Sequence, residues 1–240
     1  MYRIIERELM SLRDDVQAAH LMRFFKTGKG EYGEGDSFLG IRVPQTRAIV
    51  REYRKEAHLS DAESLIASPW HEIRLAGFLL LIELAERARR DKDETARRTV
   101  IDKYLSLIPQ GNNWDLVDVV APQLLGSWIA DHPGDESLLH ELAAMDGQLW
   151  HQRVAIVSTW TLIRHGRYDA TFTIAEQFLT HPHDLIHKAT GWMLREAGKH
   201  GGLPQLMSFL DTHASRMPRT MLRYSLEKLP APVRASYMRR

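Results

Sequence analysis

In GNNWDLVDVVAP, residues 111–122, a tryptophan and an aspartate stand four residues apart, Trp114 and Asp118. On a helix that spacing puts both on one face. Asn113 is a good N-cap, and an acid at Asp115 in the first turn suits the helix dipole. Asp118 is harder to account for, because Val117, Val119 and Val120 surround it. A carboxylate beside an apolar run finds a partner, reaches water or shifts its protonation. It is either a buried aspartate bonded to a helix N-terminus or an arginine, or a fixed anion available for chemistry. Two later residues pose similar choices. Arg153 in LWHQRVAI follows Trp150 by three positions. Its planar fork suits bidentate contact with a phosphate, and equally suits a structural bond to the preceding repeat. Trp192 in KATGWMLRE follows Gly191, which lets another backbone or a ligand approach closely. It is a core aromatic or a platform for a nucleotide.

Charge points toward a polyanion. The net charge is only +1, but from residue 185 onward ten basic residues face three acids. Residues 131–184 hold eight acids against three arginines. Lys188, Arg195, Arg219 and Arg223 belong to the basic quarter, and Arg219 and Arg223 share a helical face. Such a quarter fits phosphate contacts with nucleic acid, or is a solvated helix surface.

These residues must be positioned by helices. SDAESLIA reads as a helix start with a capping box from Ser60 to Glu63. EIRLAGFLLLIELAERARR is a long apolar helix with a basic last turn. Two further helices stop at Gly166 and at Gly198 or Gly201. Comparable segments begin at His71, Asn113, Leu149, Asp184 and Pro218, at spacings of 42, 36, 35 and 34 residues. A helix pair every ~34 to 47 residues marks a helical-repeat solenoid, whose second helices line one concave face. The expected fold is therefore all-α, a HEAT-like superhelix forming a single domain over residues 1–240.

One segment departs from this pattern. Residues 27–43 form a connector rich in glycine (Gly28, Gly30, Gly33, Gly35, Gly40) without the spacing of a phosphate loop. It is a flexible connector or a ligand-touching loop using Lys26, Lys29 or Tyr32. HPHDLIH places His183 and His187 four apart, a spacing that can bind zinc, but with 12 histidines in the chain chance pairs are expected. There is no cysteine, hence no disulfide or thiolate site. No apolar run is of membrane-spanning length and no signal-like start is seen, so a cytoplasmic protein is expected.

Together NNWDLVD, LWHQRVAIVS and HKATGWMLRE, with their mutual spacings, resemble the AlkD family of DNA alkylation repair glycosylases, which are HEAT-like and all-helical. The likeness runs from FLGIRVP to MPRTMLRYSLEKL, and the glycine-rich connector looks longer than in the best-known members. The resemblance implies a monofunctional glycosylase that releases cationic alkylated purines, such as 3-methyladenine and 7-methylguanine, from duplex DNA without flipping the base. It implies catalytic roles for Asp118, Trp114 and Trp192, a phosphate contact by Arg153, no metal or organic cofactor, and a monomer with no membrane partner. An N-alkylated purine is already a good leaving group, so the remaining need is an anion near the oxocarbenium-like sugar, with π faces beside it. The alternative is a non-catalytic HEAT-like module that binds DNA or protein. Such a module could keep the basic surface and lose Asp118.

Overall fold

The apolar periodicities become helices. In the computed structural model, which describes residues 1–239, no strand occurs among the described residues, and one isolated bridge joins Ser37 to Trp70. No helix among them is long and apolar enough to cross a membrane. The chain divides into two compact units, Met1–Leu116 and the residues from Val117 onward.

The first unit contains α1 (Tyr2–Ser11), α2 (Asp15–Phe24), α3 (Val43–Tyr53), α4 (Leu59–Ile66), α5 (His71–Asp91) and α6 (Glu94–Leu107). α5 is apolar round most of its circumference and buried along most of its length, as that pattern requires. It ends with Arg89 and Arg90 in the last turn and Lys92 in the left-handed region. The capping box of α4 falls earlier than the sequence suggests. The helix starts at Leu59, and Asp61 rather than Glu63 reaches back, accepting the His58 N–H at 3.0 Å. Glu63 is drawn away to Lys103 instead. The local S-x-x-E pattern loses because Asp61 also accepts the Tyr2 N–H, tying α4 to α1.

α7 (Trp114–Val120) carries the chain from the first unit into the second. It runs into a π turn at Pro122–Gly126 before α8 (Ser127–Asp131). Pro122 has no N–H to return to the carbonyl of Asp118, so the ladder widens, and Gly126 N–H bonds to Ala121 O at 3.0 Å. Side chains from the neighbouring helix serve these carbonyls: Ser158 donates to Ala121 O and Thr161 donates to Pro122 O. The rest of this unit is α9 (Ser137–Ala143), α10 (Leu149–Arg164), α11 (Asp169–Gln177), α12 (Asp184–Lys199), α13 (Leu203–His213), α14 (Arg219–Leu226) and α15 (Ala231–Met238). α10 packs on α9 and α12, and α12 packs on α14. Gly166 and Gly201, both at positive φ, follow the ends of α10 and α12. The repeat holds: helices start at His71, Trp114, Leu149, Asp184 and Arg219, within one residue of the sequence estimate. The fold is an all-α helical repeat.

Candidate functional site

In the second unit, Arg153 of α10 reaches Asp118 of α7 with both prongs of its fork. Nε donates to Oδ1 at 2.9 Å and Nη2 to Oδ2 at 2.8 Å. Nη1 donates to the carbonyl of Leu185 in α12. The arginine side chain is 5% exposed and the aspartate 17%. This resolves the apolar surroundings of Asp118: its partner is an arginine, and a planar fork fixes the carboxylate in two dimensions. All three nitrogens of Arg153 are engaged within the protein. Nη1 and Nη2 each keep a second N–H, but at 5% exposure the fork is turned inward, toward Asp118 and the Leu185 carbonyl.

Trp192 lies on α12, half-buried. The glycine before it serves a neighbouring backbone. A Cβ at Gly191 would lie 2.5 Å from Met221 O and 2.6 Å from Tyr224 Cβ, so Gly191 is what lets α14 seat against α12. The histidines that open α12 are absorbed locally. His183 Nδ1 accepts the Leu185 N–H at 3.1 Å, and His187 bonds to the carbonyl of His181. Burial lowers the pKa of His183 and of His181, with neighbouring charges as lesser causes. Asp184 pairs with Lys188 at 2.8 Å. Among the described residues no three His, Asp or Glu side chains gather as metal ligands.

The basic residues divide. Arg219 and Arg223 of α14 are exposed. Arg219 donates to Met238 O at 2.9 Å, and the Arg223 guanidinium lies 5.9 Å from the centre of the Tyr224 ring. Lys188 is 41% exposed despite its pairing with Asp184. Arg195 is bound to Glu196 and Glu227 and is the least available of the four.

In the first unit, Trp114 is held by aromatics. Its ring lies 5.1 Å from Phe25 and 5.9 Å, edge-on, from Phe24. Phe25 stacks on Phe38 at 5.1 Å. Asn113 stands directly before the helix, but its Oδ1 accepts the N–H of the adjacent Trp114 at 2.9 Å rather than one a residue or two further along, while its side-chain amide donates to Phe25 O. Asp115 does more than complement the helix dipole. Its Oδ2 bonds to Nε2 of His71 at 2.8 Å, and Nδ1 of His71 bonds to Oδ2 of Asp36 at 2.8 Å. Arg74 binds the other oxygen of Asp36 at 2.7 Å and Asn112 Oδ1 at 2.9 Å. Burial opposes a charged His71, but Asp115 and Asp36 outweigh it and push the pKa up to about 9. Burial likewise opposes ionised Asp36, and His71 with Arg74 outweighs it, holding that carboxyl below its ordinary value.

The same helix start pins the glycine-rich connector. Glu72, 2% exposed, accepts the N–H groups of Leu39, Gly40 and Ile41 at 2.8, 2.9 and 3.1 Å. Gly40 has φ +88°, and a Cβ there would lie 2.1 Å from Asp14 O. The end of this connector is thus anchored, contrary to a freely flexible reading. Sequence reasoning passed over His71, Glu72 and Arg74, three polar side chains within four residues directly ahead of the apolar run from Leu75 to Ile82. That local crowding of polarity was the available signal.

The model of the DNA alkylation repair enzyme family matches residues 5–229. The chain belongs to the DNA alkylation repair enzyme family. A solved structure described as a predicted DNA alkylation repair enzyme from Enterococcus faecalis is 21% identical, covers 91% of this chain and 97% of its own, and superposes with a TM-score of 0.73. At that identity it speaks for the fold of this DNA alkylation repair family member. None of the curated proteins compared matches the chain.

Proposed function

We propose that this DNA alkylation repair family member is a monofunctional N-glycosylase that hydrolyses the bond between deoxyribose and a cationic alkylated purine, 3-methyladenine or 7-methylguanine, in duplex DNA. The observation that carries the reading is the Asp118 carboxylate. It is held rigidly by the fork of Arg153, yet keeps part of its surface open. A preorganised anion is what an oxocarbenium-like sugar needs, and a pinned side chain loses little in reorganisation as that charge develops.

In this reading Asp118 stabilises the sugar cation and orients the attacking water, Trp192 offers a π face to it, and Trp114 has the catalytic role that the family resemblance implies. Arg153 acts mainly by holding Asp118, and its buried charge adds to the field felt by the phosphate backbone. Arg219, Arg223 and Lys188 supply sequence-independent phosphate contacts from exposed positions, with Arg195 a weaker contributor. The alkylated base leaves without help from a general acid, so no protein group has to reach its ring. That is the chemical ground for release from within the stack, in contrast to enzymes that rotate the base into a pocket. No cofactor enters the reaction. The chain works as a monomeric repeat domain over residues 1–240 in the cytoplasm, searching double-stranded DNA.

One observation favours a second reading. The fork of Arg153 occupies both oxygens of Asp118, as a purely structural ion pair would. In that case the protein binds DNA without releasing a base. Incubation with duplexes carrying 7-methylguanine or 3-methyladenine, followed by detection of free base, separates the two. The glycosylase reading expects released base, and tight salt-sensitive binding without release points to the second.

A further inference from the structure

Base release as described above makes no use of the most elaborate buried polar group in the first unit. His71, 2% exposed, lies at the head of α5 with both ring nitrogens on carboxylates: Nδ1 on Asp36 and Nε2 on Asp115, each at 2.8 Å. Asp36 ends the run of turns in the glycine-rich connector, and Asp115 sits in the first turn of α7, next to Trp114. A neutral imidazole carries one N–H and can donate to only one of two carboxylates, whereas an imidazolium donates to both. Arg74 backs Asp36 from its other oxygen. Asp115 has no such second partner, since its Oδ1 is buried without a hydrogen bond. The ring is also clamped from its faces, by Phe38 at 4.2 Å and Phe25 at 5.4 Å, and Phe25 is the ring on which Trp114 leans. The charged groups that meet His71 are therefore Asp36, Asp115 and, through Asp36, Arg74. Glu72, its neighbour in sequence, is occupied by the three loop N–H groups.

We propose that His71 is a positioning residue for base excision: by bridging Asp36 of the glycine-rich connector and Asp115 of α7, it fixes the direction in which Trp114 is presented to DNA. It acts through Asp115 and Phe25, never touching substrate. The connector then has a task, to deliver Asp36 to the far side of the imidazole. A buried charged network is costly to build and costly to break by halves. Its removal therefore reaches the first turn of α7 directly. The inference rests on the glycosylase reading, and its test is chosen so that the two can fail separately.

The experiment compares wild type with His71→Gln, which offers a donor nitrogen at one end of its amide and an acceptor oxygen at the other, and so cannot serve both carboxylates. Asp115→Asn is the second variant; it leaves the Asp36–His71–Arg74 side intact and decides the matter if His71→Gln does not fold. The affinity for lesion duplex should change less than about twofold, because no phosphate-contacting residue is altered. The single-turnover rate of 7-methylguanine release should fall on the order of tenfold to hundredfold, the scale of a small misplacement at a reacting centre. The wild-type rate should decline through a limb near pH 9, where His71 loses its second proton, and this limb should be absent from His71→Gln. A readout free of catalysis is the Trp114 fluorescence, taken as wild type minus Trp114→Phe. It should titrate with a midpoint near 9 in wild type and lose that titration in the His71→Gln background. Wild-type excision rates and an unchanged pH limb in the folded variants overturn the proposal. If wild type itself releases no base, the glycosylase reading fails, and the Trp114 titration alone decides whether His71 sets the tryptophan.

Discussion

At the scale of single residues, the Asp118–Arg153 pair decides most. Its geometry makes Arg153 a support for the carboxylate before anything else. Arg153→Ala removes one partner of a largely buried pair and should cost about 3 kcal/mol of stability in a urea melt. Excision should drop with it, while the salt dependence of DNA binding stays nearly unchanged. Arg153→Lys should recover part of the stability but little of the activity, since an ammonium cannot hold both oxygens. A flattened salt slope for Arg153→Ala would instead identify it as a phosphate ligand. The slope belongs to the exposed arginines. Arg219→Ala and Arg223→Ala should each reduce the slope of log K against log salt by about 1, as expected when one arginine no longer neutralises a phosphate. That Asp118 would find an arginine was open to inference from its valine neighbours. Which arginine it finds was not, because Arg153 lies 35 positions away and only the packing of α10 brings it there.

At the scale of elements, the repeat period was the most legible feature, since long amphipathic helices announce themselves by spacing. Short-range signals were weaker. The α4 capping box moved because Asp61 had a tertiary partner in α1 that no local pattern contains. Gly191 was ambiguous in sequence between a ligand and a backbone, and the close approach of α14 supplies the answer. Gly191→Ala should destabilise the second unit by about 1–3 kcal/mol, the usual cost of overpacking, because the atom it meets is a backbone carbonyl that cannot swing aside. A chemical melt with an unchanged midpoint would mean that α14 shifts freely on α12. The connector at residues 27–43 was misleading in the opposite sense. Its glycines suggest freedom, yet Glu72 and His71 fasten its end to α5.

At the scale of the whole molecule, the buried ionic network makes stability depend on pH. His71 has a pKa raised from 6.5 to about 9 in the folded protein. Its contribution, up to about 3 kcal/mol, is complete below pH ~6.5 and is lost as pH rises through about 9. The lowered Asp36 works the other way: its contribution is present above its unfolded value near 3.8 and disappears only as pH falls through the folded one. Thermal melts between pH 6 and 10 should therefore show falling stability toward the alkaline end, and His71→Gln should flatten that dependence. The central claim concerns chemistry at Asp118, and the most direct measurement is single-turnover release of 7-methylguanine from saturated duplex, wild type against Asp118→Asn, with the dissociation constant measured alongside. We expect release by wild type, a loss of about 10² to 10³ in the variant and nearly equal affinities. Release by Asp118→Asn at the wild-type rate would contradict the account and return Asp118 to a structural partner of Arg153.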